Sequence, residues 1–156
     1  MPIRITNSQS KVSGEILASD YTTTTSTQTL TTGYSQVDSL QIEFEADRTG
    51  DAKIVFNGFL EGTVLNTTGC QITMRLVNSS NVYISSTVKI VHKFIDPDSM
   101  ATDPDGIYIT AVWILPITDG QTYTVKPQIK RGSTNNTYTV KYGGSFPVSM
   151  ITAIGL

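Results

Sequence analysis

Cysteine, histidine, charge and helix-forming residues are all scarce in this chain of 156 residues, and each scarcity removes a class of protein. The one cysteine, Cys70, has no second thiol to pair with, which excludes an intrachain disulfide. A lone cysteine in a β protein ordinarily serves as a small buried hydrophobe. The one histidine, His92, lies beside Lys93 in an apolar strand pattern, and no Gly-x-Ser-x-Gly elbow precedes a helix. It is therefore read as a packed or interface histidine and not as a catalytic base. Glu43, Glu45 and Glu61 could supply a carboxylate pair, but Glu43 and Glu45 share the solvent face of one strand, where a carboxylate keeps its ordinary acidity. A phosphate-cradling loop, a Cys/His metal set and a dinucleotide fingerprint are all missing. The chain is expected to be non-catalytic and to carry no cofactor.

Charged residues make up 15% of the chain and the net charge is −2. Binding a nucleic-acid backbone needs clustered cations that displace counterions. Here Arg4, Lys11, Lys53, Lys89, Lys93 and Lys141 are scattered among acids. The densest group, Lys126, Lys130 and Arg131, reads as the solvated edge or face of a strand. No apolar run approaches the length that spans a membrane as a helix. Met1-Pro2-Ile3-Arg4 does not open a signal peptide, so Asn66, Asn78 and Asn135, each in an Asn-x-Ser/Thr triplet, are read as turn residues and not as glycan sites.

The polarity that charge does not supply comes from Thr, Ser, Asn and Gln. Thr dominates, and its β-branched side chain suits a pleated strand better than a helix. Apolar residues recur with period two. Leu40, Ile42 and Phe44 alternate with Gln41, Glu43 and Glu45, and after a turn at Asp47-Arg48-Thr49-Gly50-Asp51 the pattern resumes at Ile54, Phe56, Gly58 and Leu60. Residues 37–60 are read as a hairpin. Ile72, Met74 and Leu76 form the next strand, Asn78-Ser79-Ser80-Asn81 reverses the chain, and Val82, Ile84, Val88 and Ile90 follow as one long strand or two short ones. Residues 107–117, which include Trp113, form a nearly continuous apolar run, the pattern of a strand buried on both faces or central in a sheet. Thr118-Asp119-Gly120-Gln121 turns into a strand through Tyr123, Val125, Pro127 and Ile129. A loop at 132–136 then reads as a hairpin to Tyr138, Val140 and Tyr142. Val148, Met150, Thr152 and Ile154 close the chain as a docked strand. Eight to ten short strands with regular turns and no convincing helix predict an all-β, antiparallel β-sandwich.

Ahead of this pattern, residues 1–35 are polar and Thr-rich and are read as an arm or an outlying edge strand, with residues 36–156 as the domain proper. Such a stretch buries too little apolar area to order itself, although it can pair with an existing sheet or a neighbouring subunit. Thr22, Thr23, Thr24, Thr25, Thr27 and Leu30 are its candidate partner contacts, and a chain starting near Ser35 is expected to fold without them. Two further groups carry chemistry. Asp96, Asp98, Asp103 and Asp105 share one loop and offer the hard oxygen ligands that Ca²⁺ prefers. Their spacing is not that of an EF-hand, and Asp-Pro-Asp-Gly is also a favoured turn. Tyr83, Tyr108, Tyr123, Tyr138 and Tyr142 could form a platform for stacking sugars, yet each also fits an ordinary half-buried sheet position.

The run from Leu115-Pro116-Ile117-Thr118-Asp119-Gly120 to Gln121-Thr122-Tyr123-Thr124-Val125, then Gly143-Gly144-Ser145-Phe146-Pro147 and Met150-Ile151-Thr152-Ala153-Ile154, resembles the small jelly-roll proteins of tailed-phage particles. Phe44-Glu45-Ala46-Asp47 and Gly50-Asp51-Ala52-Lys53-Ile54 carry the likeness into the first half. These proteins include capsid decoration (cement) proteins, head fibres and tail-fibre tips. The resemblance is one of style over residues 37–156. It implies a jelly roll, a homotrimer on the outside of a virion assembled in the host cytoplasm, and a polar N-terminal segment against the major capsid protein. The other reading kept open is a carbohydrate- or receptor-binding β-sandwich module.

Overall fold

The computed structural model describes residues 14–22, 26–63, 70–84, 87–94, 105–132, 137–142 and 149–156. Among them are eleven β-strands and no helix: β1 (Ile16–Tyr21), β2 (Ser26–Thr29), β3 (Ser35–Gln36), β4 (Ile42–Glu45), β5 (Gly50–Thr63), β6 (Cys70–Val77), β7 (Lys89–Phe94), β8 (Asp105–Ile117), β9 (Thr122–Arg131), β10 (Thr137–Tyr142) and β11 (Met150–Gly155). The all-β sandwich expected from the period-two pattern is what forms, with one strand more than the pattern suggested.

The strands divide into two antiparallel sheets of six and five. In the larger, β5 is paired along its whole length with β8 on one edge; on the other edge β11 takes its first half and β10 its second. β1 lies outside β11 and β2 outside β10. In the smaller, β9 lies between β6 and an edge shared by β3 and β4, with β7 beyond β6. Setting aside β2, β3 and β10, the sheets run β1-β11-β5-β8 and β4-β9-β6-β7. The first strand therefore lies beside the last, and each successive pair except β6–β7 crosses between sheets, as in a jelly roll.

Burial alternates as the patterning requires. From β5, Ala52, Ile54, Phe56 and Leu60 point inward; from β6, Ile72, Met74 and Leu76; from β8, Ile109, Ala111, Trp113, Leu115 and Ile117. Gly58 leaves room for its neighbour, since a Cβ there would lie 2.8 Å from Phe56 Cζ. The indole N–H of Trp113 crosses from the larger sheet to donate to the Thr87 carbonyl, next to β7. The buried Thr87 hydroxyl in turn accepts the Leu76 N–H at 3.0 Å and donates to the Ile84 carbonyl at 2.7 Å. No polar atom of that group is left unsatisfied in the interior, where an unpaired one would be costly.

Turn chemistry fits the sequence. Asn81 adopts a positive φ of 59°, and Asn78 Oδ1 accepts from Ser80 and Val82 N–H groups. Gly120, at φ 75°, occupies the third position of the Thr118–Gln121 turn, closed by Gln121 N–H to Thr118 O at 3.1 Å. Pro127 lies in a central strand, where a missing N–H would normally break a ladder. Its backbone faces the β3/β4 edge, where its carbonyl accepts the Val37 N–H just past the end of β3 and before β4 begins, so the N–H it lacks falls at a gap.

Three expectations are corrected. Residues 37–60 are not a hairpin: β4 pairs with β9 and β5 with β8, in opposite sheets. Nor is 132–136 a hairpin loop, because β9 and β10 belong to different sheets. A turn sequence reverses the chain, but whether it closes a hairpin or crosses the sandwich depends on which neighbour buries the strand. Residues 107–117 form an outer strand, bonded only to β5 among the described residues, and their second apolar face lies open.

Of the two readings of residues 1–35, the described part takes the edge-strand one: β1 and β2 are outermost strands of the larger sheet, and their contacts reach into the core. β1 is the first jelly-roll strand, with Ala18 in the core, and Leu30, just after β2, is 1% exposed. Asp20 Oδ2 accepts the Gln41 N–H at 2.9 Å, and Gln28 Nε2 donates to the Gln36 carbonyl at 2.6 Å, tying this segment to the opposite sheet. A chain starting at Ser35 would lack β1 and Leu30, so it should lose the cooperative unfolding transition of the full chain. Leu30→Ala should lower unfolding free energy by about 2–5 kcal/mol, the usual cost of truncating a buried leucine. Denaturant titration of both variants checks this, and a truncated chain that unfolds like the full one would make β1 dispensable.

Candidate binding faces

The outward faces of the two sheets differ in chemistry, although the larger carries Lys53 among its apolar residues and the smaller exposes Ile90 beside Thr73. On the larger sheet the register sets Asn57 between Thr110 and Met150, with Tyr21 beyond. Val55 lies between Val112 and Thr152, and Lys53 between Ile114 and Ile154, with Ile16 beyond. Phe59 and Tyr108 meet edge to face with ring centroids 5.2 Å apart. Much of this apolar surface is open to water: Tyr108 is 73% exposed, Ile114 52% and Ile16 48%. Single exposed hydrophobics are ordinary, whereas a contiguous apolar face marks a contact surface.

The smaller sheet carries cations instead. Gln128 lies opposite Arg75, and Lys130 opposite Thr73. Arg75 Cζ lies 4.0 Å from the Tyr34 ring centroid and 5.6 Å from that of Tyr83. Its Nε donates to Gln128 Oε1 at 2.8 Å. Lys130 Nζ lies 4.6 Å from the same Tyr34 ring. Nearby, Lys126 Nζ donates to the Ser79 carbonyl and to Asn81 Oδ1, bracing the turn that leads to Tyr83. Among the described residues the one ion pair is Arg48–Asp47 at 2.9 Å, so none of these three cations is neutralised by a described carboxylate. Cation–π contact holds Arg75 in place without cancelling its charge.

The sequence-derived candidates fall out unevenly. Thr22 is buried, its hydroxyl bonded to the Ser149 backbone, and Leu30 is part of the core; neither is open to a partner in this fold. Thr27 is exposed on the outer strand β2, and Thr23, Thr24 and Thr25 lie outside the described residues. Asp96, Asp98 and Asp103 also lie outside them, and of Asp105 only the backbone is described, in β8. The three candidate tyrosines whose side chains are described are not brought together. Tyr83 borders Arg75, Tyr108 is on the other sheet, and Tyr123 stacks on Phe44 at 5.6 Å and accepts the Thr118 N–H with its hydroxyl. The side chains of Tyr138, Tyr142 and His92 are outside the description. Tyr34 was not singled out by the sequence because it lies in a short link, Gly33-Tyr34-Ser35, with no strand period. Only the β3–β9 register brings it beside Lys130.

Burial pushes the Tyr34 phenol above its ordinary value of 10.0, with Arg75 pulling it down and Tyr83 adding to the rise. The folded chain therefore holds that proton more tightly than the unfolded one. Its contribution to stability is present below the unfolded value and is lost as pH rises through the folded one. Tyr34→Phe should accordingly flatten the fall in melting temperature above pH ~10, the unfolded phenol's value. Thermal melts across alkaline pH test this, and parallel curves for the two proteins would contradict it.

No protein-family model matches the sequence, and no curated protein matches it. Among solved structures, the chain is similar at a TM-score of 0.40 and 8% identity to a CocE/NonD-family hydrolase from Staphylococcus aureus, over 90% of this chain and 37% of that one. It is also similar to a chain from the structure of infectious bursal disease virus Gt strain, at a TM-score of 0.36 and 14% identity over 98% of this chain and 36% of that one. A chain from the Gx strain of the same virus gives 0.30 and 14% over 98% and 42%. This chain spans well under half the length of each of these proteins. At TM-scores below 0.5 they carry no argument about function, which rests on the chain's own surfaces.

Proposed function

We propose that this chain is a non-catalytic structural protein of a virus particle, a capsid decoration or cement protein that sits as a homotrimer on the outside of a phage head. The observation that carries this reading is the open apolar face of the larger sheet, with Tyr108, Ile114 and Ile16 exposed across β8, β5, β11 and β1. The thirteen residues of β8, the fourteen of β5 and the six each of β11 and β1, in strands ~4.8 Å apart, give this face an area on the order of 600 Å². One partner in a standard stable interface contributes about 800 Å². The natural occupant is another copy of the same chain, since a surface this size left in water invites uncontrolled association in a protein displayed in many copies. The jelly-roll strand order and the resemblance of residues 37–156 to small phage particle proteins agree with the reading. Attachment to the major capsid protein would use the polar N-terminal stretch, of which Thr27 on the outer strand β2 is an exposed member. A partner strand added there would gain main-chain hydrogen bonds without an apolar patch. Neither nucleic acid nor membrane is a partner in this account.

A second reading, a carbohydrate- or receptor-binding module such as a fibre tip, is favoured by one specific observation, the cation–tyrosine cluster around Arg75.

Light scattering of the purified chain should give the mass of three copies. Ile114→Asp, which sets a charge among the exposed apolar residues of the outer strand β8, should reduce it to one copy while the cooperative unfolding transition persists. A wild-type monomer, or a trimer indifferent to that substitution, would remove the support for this interface, and binding to purified capsids tests the partner directly.

A further inference from the structure

We propose that the outer face of the smaller sheet holds an acidic saccharide, its acid group on Arg75 and Lys130 and its ring against Tyr83. This does not rest on the decoration reading, because it uses the opposite sheet.

Four features carry it. First, Arg75 is oriented before any ligand arrives. Tyr34 at 4.0 Å and Gln128 at 2.8 Å fix the guanidinium plane through one ring face and Nε, while the terminal nitrogens make no hydrogen bond to a described residue. A fixed planar fork with free N–H groups is what a carboxylate or sulfate oxygen pair recognises, and holding it in advance removes much of the ordering cost. Second, Lys130 converges on the same ring from the next outward position of β9 and adds a second positive charge. No described carboxylate pairs with either group, so the local field is unspent.

Third, the ring of Tyr83 is 42% exposed and flanks the guanidinium, offering an apolar surface beside the charge. A sugar ring with one apolar C–H face and one acid group matches that pairing, whereas a free inorganic anion would use only the cations. Gln128 adds polar capacity: its Oε1 accepts from Arg75, which leaves the amide N–H groups for a sugar hydroxyl. Fourth, charge count disfavours a nucleic acid. Arg75, Lys126 and Lys130 are too few to displace the counterions that backbone binding requires, and Lys126 is already engaged with the 78–81 turn. The same face turns acidic at its far end, where Glu43 accepts from Thr124 across β4 and β9. A long polyanion lying along β9 would meet that repulsion, and a short acidic sugar at the Arg75 end would not.

The test is calorimetric titration of the full chain with tri-galacturonate, a heparin-derived tetrasaccharide, maltotriose and a short duplex DNA. Binding of either acidic saccharide, weakened by salt and absent for maltotriose, is the expected result, and which of the two binds identifies the acid group. Arg75→Lys keeps the charge but loses the fork, and should weaken binding about tenfold, the worth of one bidentate contact. Lys130→Met should weaken it as well, through a side chain whose loss leaves the core intact. Both variants should keep the parent's melting temperature and solution mass, which separates this proposal from the subunit contact on the other sheet. The proposal is overturned if neither acidic saccharide binds, if maltotriose or the duplex binds as well as they do, or if Arg75→Lys binds like the parent. A change of solution mass in Arg75→Lys would also overturn it, making this face a contact between copies.

Discussion

Everything else in the fold hangs on the ladder between β5 and β8. β5 is fourteen residues long and pairs residue for residue with β8 from Gly50–Ile117 to Gly62–Asp105. With one edge committed in full, its other edge can take two shorter strands end to end, β11 and then β10, and these bring β1 and β2 in behind them. Because side chains alternate, fixing this register decides at one stroke which residues face the second sheet. Ile54, Phe56, Leu60 and Trp113 go in; Val55, Phe59, Tyr108 and Ile114 go out. A one-residue slip would exchange the two sets.

The second sheet is held against the first by apolar contact and by a small number of polar crossings placed where backbone groups need partners. Trp113 to Thr87, Asp20 to the Gln41 N–H and Gln28 to the Gln36 carbonyl each satisfy a group that would otherwise be stranded at the seam. These crossings explain why a polar, Thr-rich N-terminal stretch belongs to the body of the protein. β1 contributes little apolar side chain, Ala18 within the core and the half-buried Leu17 packed against it, but it covers the edge of β11 and anchors the loop before β4.

With both inner faces committed to one core, the outer faces are free to differ, and they do. One exposes apolar residues, Tyr108 and Ile114 on β8 and Ile16 on β1, around Lys53 and Asn57. The other presents Arg75, Lys126 and Lys130, half-buried and braced by tyrosines, a glutamine and a turn.

The class of fold and the in-or-out sense of most strands are legible in local residue pattern alone. Alternation at Ile42/Phe44, Ile72/Met74/Leu76 and Ile54/Phe56 depends only on neighbours two residues apart, and turn residues such as Gly120 and Asn81 act locally through φ. Strand partners are a different kind of fact. The turn at 47–51 looks the same whether the chain folds back on itself or crosses the sandwich, so both hairpins read from it and from 132–136 were misassigned. The apolar run at 107–117 likewise carried the right composition and the wrong cause, because a strand with an exposed apolar side and a doubly buried strand draw on the same residues. Only the tertiary structure decided that β8 is an outer strand, that Leu30 is core, and that Tyr34 stands over Arg75 and beside Lys130. Each of those depends on contacts between segments tens of residues apart, where the free energy lies in burying one sheet against the other and no local pattern records it.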